Sequence, residues 1–326
     1  MFSKNRLIIF IILISAAFFV LLFFTLPSNV IGPRSNNLFL LVFKIGFLSV
    51  TAAITTAILL IFIFRHEFVK KQWASFIRFK YLLQLLVKRD FVSRYKRSVL
   101  GVFWSLLNPL LTMLIMTMVF SFLFRTQIEN FPVYVLSGLI IFGFFSESTN
   151  QAMGTVIANA GIIKKVYVPK YVFPLSRVLS SLVNLCFSFL AFLLVFIITR
   201  APLHWSMALI PIPIIYTFIF ALGIGMLLSS LAVFFRDLTY LYSIFMTLLM
   251  YLTPILYPVS IIPERYQPFM GLNPIYHFID YFRNVALNGV VPDIWANVVC
   301  IGFALSALCC GVYVFMSQQD EYILYL

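Results

Sequence analysis

Apolar positions in this chain come in long unbroken runs, not in the alternation of strands or the narrow stripes of soluble helices. Runs long enough to cross roughly 30 Å of hydrocarbon as helices occupy Leu7–Leu26, Leu38–Phe64, Leu100–Phe124, Val133–Val156, Val178–Thr199, Met207–Phe235, Leu238–Tyr257 and Ile294–Met316. The pattern predicts eight helical spans, because a membrane barrel would show shorter segments of alternating polarity. Before the third run the pattern changes. In "FVKKQWASFIRFKYLLQLLVKRDFVSRYKRS", Phe76, Phe79, Leu82, Leu83, Leu86 and Val87 recur at spacings of three and four, with Arg78, Lys80 and Lys88 off that arc. This predicts an amphipathic helix along the inner membrane surface, too charged to cross. A second short element is predicted near Pro274: Asn273 caps, Pro274 fits the first turn, and Asn288 with Gly289 fits the end. At about 13 residues it is too short to span, and Ile275, Phe278, Ile279 and Phe282 share one face. It is expected to enter the outer leaflet as a re-entrant element.

Composition agrees with the runs. Apolar residues make up 63% and charged residues 10% of 326 positions, and mean hydropathy is +1.05. That leaves too little polar surface for a soluble fold, so the fold class is an all-α integral membrane protein. The net charge of +13 is a matter of sidedness and does not imply nucleic acid. With the N-terminus inside, most lysines and arginines fall on the cytoplasmic side. Arg34, Arg125, Arg200, Arg265 and Arg283 fall outside, and Lys44 is near enough to the outer end of its run to snorkel. Both termini are expected in the cytoplasm. Lys4 and Arg6 before an apolar run also describe a signal peptide, but the run is long and "TLPSNVIGP" offers no small-x-small cleavage site, so an uncleaved anchor is expected. Cys186, Cys300, Cys309 and Cys310 lie in apolar runs without metal-ligand spacing, and His66, His204 and His277 are scattered, so no metal site is expected.

Few residues carry candidate chemistry. Lys88, Arg89, Arg94, Lys96 and Arg97 crowd into residues 88–97, directly before a run that opens "GVFWSLLNPLL" with Pro109 inside the helix. The loop "NAGIIKKVYVPKYVFPLSR" mixes Lys164, Lys165 and Lys170 with Ile162, Ile163, Val166 and Tyr167, more apolar side chains than a solvated loop displays. It reads as a short helix set against a cytoplasmic partner. Glu147, in "FGFFSESTNQ", is the one acid within a span and reads as a structural or pathway residue. No G-x-x-x-x-G-K-[ST] phosphate loop occurs.

These stretches, taken in order, carry a family resemblance. From about Lys80 onward the chain resembles the membrane subunit of type-2 ABC exporters of lipid-linked polysaccharide, the group of O-antigen, capsule and teichoic-acid export permeases. "LLVKRDFVSRYKRSVLGVFWSLLNPLL" is similar to the family's interface helix and first core span, "GIIKKVYVPKYVFPLSRV" to its coupling loop, "LAVFFRDLTYL" to its connection between core spans four and five, and "YLTPILYP" with "LNPIYHFIDYFR" to its external re-entrant region. The resemblance implies residues 99–326 as a six-span transport domain, 66–98 as the interface helix, and 1–65 as two additional helices that leave the core's orientation unchanged. It implies an inner-membrane permease working with two copies of a nucleotide-binding ATPase, which holds ATP and magnesium, and with a second copy of itself. The cargo implied is an undecaprenyl-pyrophosphate-linked glycan. On that reading Arg89, Arg94, Lys96 and Arg97 attract the pyrophosphate, and Ile163, Lys164, Lys165 and Tyr167 couple to the ATPase. A drug or small-lipid exporter of the same type is the nearest alternative. A membrane glycosyltransferase or an ion-coupled carrier fits less well: Glu264, His277, Asp280 and Asp293 form no catalytic motif, and intramembrane acids are scarce.

Overall fold

The computed structural model describes residues 66–96, 98–124, 128, 130–263 and 266–325. The expected spans at Leu7–Leu26 and Leu38–Phe64 lie outside the described residues, as do Arg97, Glu264 and Arg265. Every regular element described is helical. The longer ones are α1 His66–Tyr95, α2 Trp104–Phe124, α3 Phe131–Met153, α4 Val172–Ile198, α5 Pro211–Phe234, α6 Leu238–Leu252, α7 Pro274–Ala286 and α8 Ile294–Gln318. The chain divides into two compact units, residues 1–81 and 82–326, so α1 runs from one into the other.

Within the second unit α3 lies at the centre, packed on α2, α4 and α5, and it is the most buried of the long apolar helices. α5 and α8 form the closest pair. A Cβ on Gly223 would fall 2.3 Å from the main-chain carbon of Ala307, and one on Gly311 would fall 1.9 Å from the Gly223 carbonyl oxygen. Only residues without side chains let two helix backbones approach so nearly, the usual device where lipid removes the hydrophobic drive for helix association.

The apolar arc on α1 is real, and Arg78, Lys80 and Lys88 are exposed as expected. However, Leu83 and Leu86 are covered by protein instead of facing outward. Phe91 adds a stacked contact to Phe187 of α4 at 5.9 Å between centroids. A turn at Gly101, with φ +52, joins α1 to α2, and Ser98 Oγ accepts a hydrogen bond from its amide. Among the described residues five helical stretches, those of α2, α3, α4, α5 and α8, are long and apolar enough to cross a membrane. The expected span Leu238–Tyr257 differs: its helix stops after 15 residues, about 22 Å at 1.5 Å per residue. Pro254 is the reason, since it forces Thr253 into an extended conformation (φ −84, ψ 130). The chain then turns with Thr253, Ile255 and Leu256 buried. α7 follows the sequence closely. Asn273 Oδ1 accepts from the amides of Ile275 and Tyr276, and Ile275, Phe278, Ile279 and Phe282 are all buried.

Candidate functional site

Four helices of the second unit meet in a polar knot inside otherwise apolar surroundings. The last turn of α1 delivers Arg94 and Tyr95, the start of α2 Ser105, α3 Glu147 and Gln151 one turn apart, and α4 Asn184. Arg94 Nη1 pairs with Glu147 Oε1. The same carboxylate accepts from Gln151 Nε2 and from Asn184 Nδ2, both at 2.8 Å. Tyr95 donates to Asn184 Oδ1 at 3.1 Å and bonds the Ser105 hydroxyl. Burial works against the Arg94 charge, but the Glu147 carboxylate outweighs it and the guanidinium stands above its ordinary value. The knot borders a cavity of about 720 Å³, lined further by Trp104, Asn108, Thr112, Ser146, Ser181 and Ser188. Ser181 is buried and its Oγ has no hydrogen-bond partner among the described residues.

Two other expected regions lie apart from this knot. Arg89 pairs with Asp90 at 3.2 Å, and Arg177 at the start of α4 lies 3.1 Å from the second oxygen of Asp90, whose side chain is only 7% exposed. Two cations thus share one carboxylate, and Arg177 ties α1 to α4. Lys96 is exposed, and Arg97 lies outside the described residues. In the loop after α3, Ala160–Ile163 form a single helical turn. Ile163 is buried and anchors it, whereas Lys164, Lys165 and Val166 are exposed and Tyr167 is 93% exposed. Lys170 bonds the Gln319 carbonyl and lies 5.7 Å from the Tyr322 ring centroid, which ties this loop to the end of α8. Among the described residues no cluster of His, Cys, Asp and Glu could hold a metal ion.

Residues 81–287, which include the knot, the Asp90 ion pairs and the loop, match the ABC-2 type transporter membrane family. The chain belongs to that family. It is 37% identical over 236 residues to the O-antigen export system permease protein RfbA of Klebsiella pneumoniae, covering 71% of this chain and 90% of that protein. A protein of the same name from Myxococcus xanthus is 28% identical over 247 residues, 75% of this chain and 95% of its own length. The polysialic acid transport protein KpsM of Escherichia coli is 24% identical over 254 residues, 74% of this chain and 95% of its own.

In this ABC-2 chain the structure brings Arg94 and Glu147 together, two residues read separately from the sequence, and leaves Arg89 and the Lys164–Tyr167 segment elsewhere. It also shows a role that charge counting did not reveal. Arg283, expected as one of the cations on the outer side, is buried on α7. Its guanidinium donates to the carbonyls of Pro254 at 2.8 Å, Ile255 at 2.9 Å and Tyr134 at 3.2 Å, and to Ser137 Oγ at 3.2 Å. Its Cζ lies 3.5 Å from the Tyr134 ring centroid. Gly138 makes room for it, since a Cβ there would fall 3.0 Å from Arg283 Nη2. Pro254 was the available signal, because a proline that ends a helix inside a membrane leaves carbonyls in need of a donor.

Proposed function

We propose that this chain is the permease subunit of an ATP-driven exporter that carries an undecaprenyl-pyrophosphate-linked polysaccharide of O-antigen type across the bacterial inner membrane. The observation that carries this reading is the family match across the whole knot-bearing core, with relatives named for O-antigen and polysialic acid export aligned over nine tenths or more of their own length. A cavity of about 720 Å³ whose largely apolar wall carries several hydroxyl and carboxamide groups suits a hydroxyl-rich cargo. On this reading residues 99–326 form a six-span transport domain in which α6 and the buried turn after it cross together, and α7 re-enters the outer leaflet. Residues 66–98 form the interface helix, residues 1–65 supply two further spans, and both termini are cytoplasmic. Two copies of the chain work with two ATPase subunits, which hold ATP and magnesium.

The ion pairs refine the division of labour. Arg94 is committed to Glu147, so attraction of the pyrophosphate rests on Arg89, Lys96 and Arg97, with Arg89 and Arg177 leaving one net positive charge around Asp90. Ile163 fixes the turn from which Lys164, Lys165 and Tyr167 reach the ATPase. Removing the gene should leave polymer synthesised but retained inside the cell. In reconstituted vesicles, lipid-linked glycan, and not a small lipid or drug, should stimulate the ATPase. Unchanged surface polymer in the deletion strain, or stimulation by small lipids alone, contradicts the proposal.

A further inference from the structure

The cavity beside Arg94 and Glu147 lacks the property a phosphate site needs. Its charged lining residues are Arg94 and Glu147, and they neutralise each other. An anion entering it would meet a cation whose charge a carboxylate already balances, and an anion that loses water without a free counter-charge is disfavoured. Among apolar side chains such as Leu139, Phe142 and Leu185, the wall offers hydroxyls and carboxamides, groups that both donate and accept. Ser105, Thr112, Ser146 and Ser188 line it together with Asn108 and Asn184. Asn184 spends one amide hydrogen on Glu147 and its oxygen on Tyr95, which leaves a second amide hydrogen.

The Ser181 hydroxyl points the same way. It is 1% exposed, lacks a hydrogen-bond partner among the described residues, and lines this cavity. A buried hydroxyl left unsatisfied lowers stability, and a ligand hydroxyl in the cavity would complete it. Trp104 adds a broad aromatic face, 45% exposed, to the same wall. The volume of about 720 Å³ falls within the range of about 300 to 1,000 Å³ usual for small-molecule sites.

We propose that this cavity seats uncharged sugar residues of the exported glycan, held through their hydroxyls by Ser181 and Asn184 and stacked on Trp104, and that the closed Arg94–Glu147 pair keeps phosphate and acidic sugars out. The assignment rests on the polysaccharide-export reading and adds to it where the neutral part of the cargo binds.

The test uses the full-length chain with its ATPase subunit in lipid nanodiscs, with Trp73, Trp205 and Trp295 and every tryptophan of the ATPase changed to Phe so that Trp104 alone reports by fluorescence. The probes are neutral trisaccharides of glucose, mannose or galactose, a uronic-acid trisaccharide, and inorganic pyrophosphate. At least one neutral probe should give a saturable change and the two anionic probes none. Ser181→Ala should weaken the neutral response about five-fold, the worth of one neutral hydrogen bond, without lowering the unfolding temperature, because that hydroxyl bonds nothing in the folded chain. Glu147→Gln, which frees Arg94, should admit the anionic probes. A saturable pyrophosphate response in the unsubstituted site, no response to any neutral probe, or unchanged binding in Ser181→Ala overturns the proposal. The export reading fails separately: it falls if the gene-deletion strain still displays polymer, whatever the titration gives. Retained polymer with a negative titration removes only the cavity assignment.

Discussion

Arg283 shows how a single residue can hold a broken helix inside a membrane. The turn after α6 leaves the carbonyls of Pro254 and Ile255 without helical partners, and hydrocarbon supplies no donor. One guanidinium, whose fork reaches several directions at once, meets both and also ties in Tyr134 and Ser137 of α3. Replacing it with methionine keeps much of the volume and abandons four acceptors. Arg283→Met is therefore expected to cost about 3 to 5 kcal/mol, read as a large fall in unfolding temperature in detergent. Arg283→Lys, with a point charge and three donors, should recover less than half of that loss. Sequence could not place this residue, because its partners are main-chain carbonyls 28, 29 and 149 positions away and one hydroxyl 146 positions away. Charge alone gave it a side and no partner. The Arg94–Glu147 pair was hidden for the same reason: periodicity says which face a residue occupies, not which residue 53 positions on it will meet.

At the scale of elements, local signals were the legible part. α7 begins and ends where Asn273, Pro274 and Gly289 place it, because capping is settled by neighbours in sequence. The length of α6 was misjudged because its apolar run continues past Pro254, and hydropathy does not register a backbone restriction. The contact of α5 with α8 was also illegible, since nothing local tells which glycines face a partner. It gives a clear expectation. Gly311→Ala puts a methyl group 1.9 Å from the Gly223 oxygen, so the two backbones must part at a cost of about 2 to 3 kcal/mol. Gly143→Ala, where a Cβ meets nothing within 4 Å, should be neutral or up to about 1 kcal/mol stabilising. Thermal unfolding of the two variants side by side measures the difference. If both behave alike, the close backbone contact is wrong.

For the whole molecule, sequence order and side were enough to suggest a membrane machine that must borrow its energy, and the loop around Lys164 is where that reading is most exposed to test. If the proposed coupling role is right and these lysines face acidic groups of the ATPase, reversing both in Lys164→Glu/Lys165→Glu replaces attraction with repulsion. Truncating a buried charge contact alone typically costs about 2 to 5 kcal/mol, so at least a tenfold loss of ATPase affinity is expected, with normal membrane levels. Co-purification of the ATPase at wild-type yield would remove the loop from the coupling role. The link between Arg283 and the turn at Pro254 also puts the molecule on a clock. A ribosome adding about 5 to 20 residues per second reaches Arg283 seconds after Pro254 has been made. Until Arg283 has also emerged from the ribosome the end of α6 lacks the donor for its carbonyls, so a nascent chain paused after Pro254 has emerged and before Arg283 has is the form most open to a membrane quality-control protease. Synonymous slow codons placed in that window should lower the yield of protein without altering a single side chain.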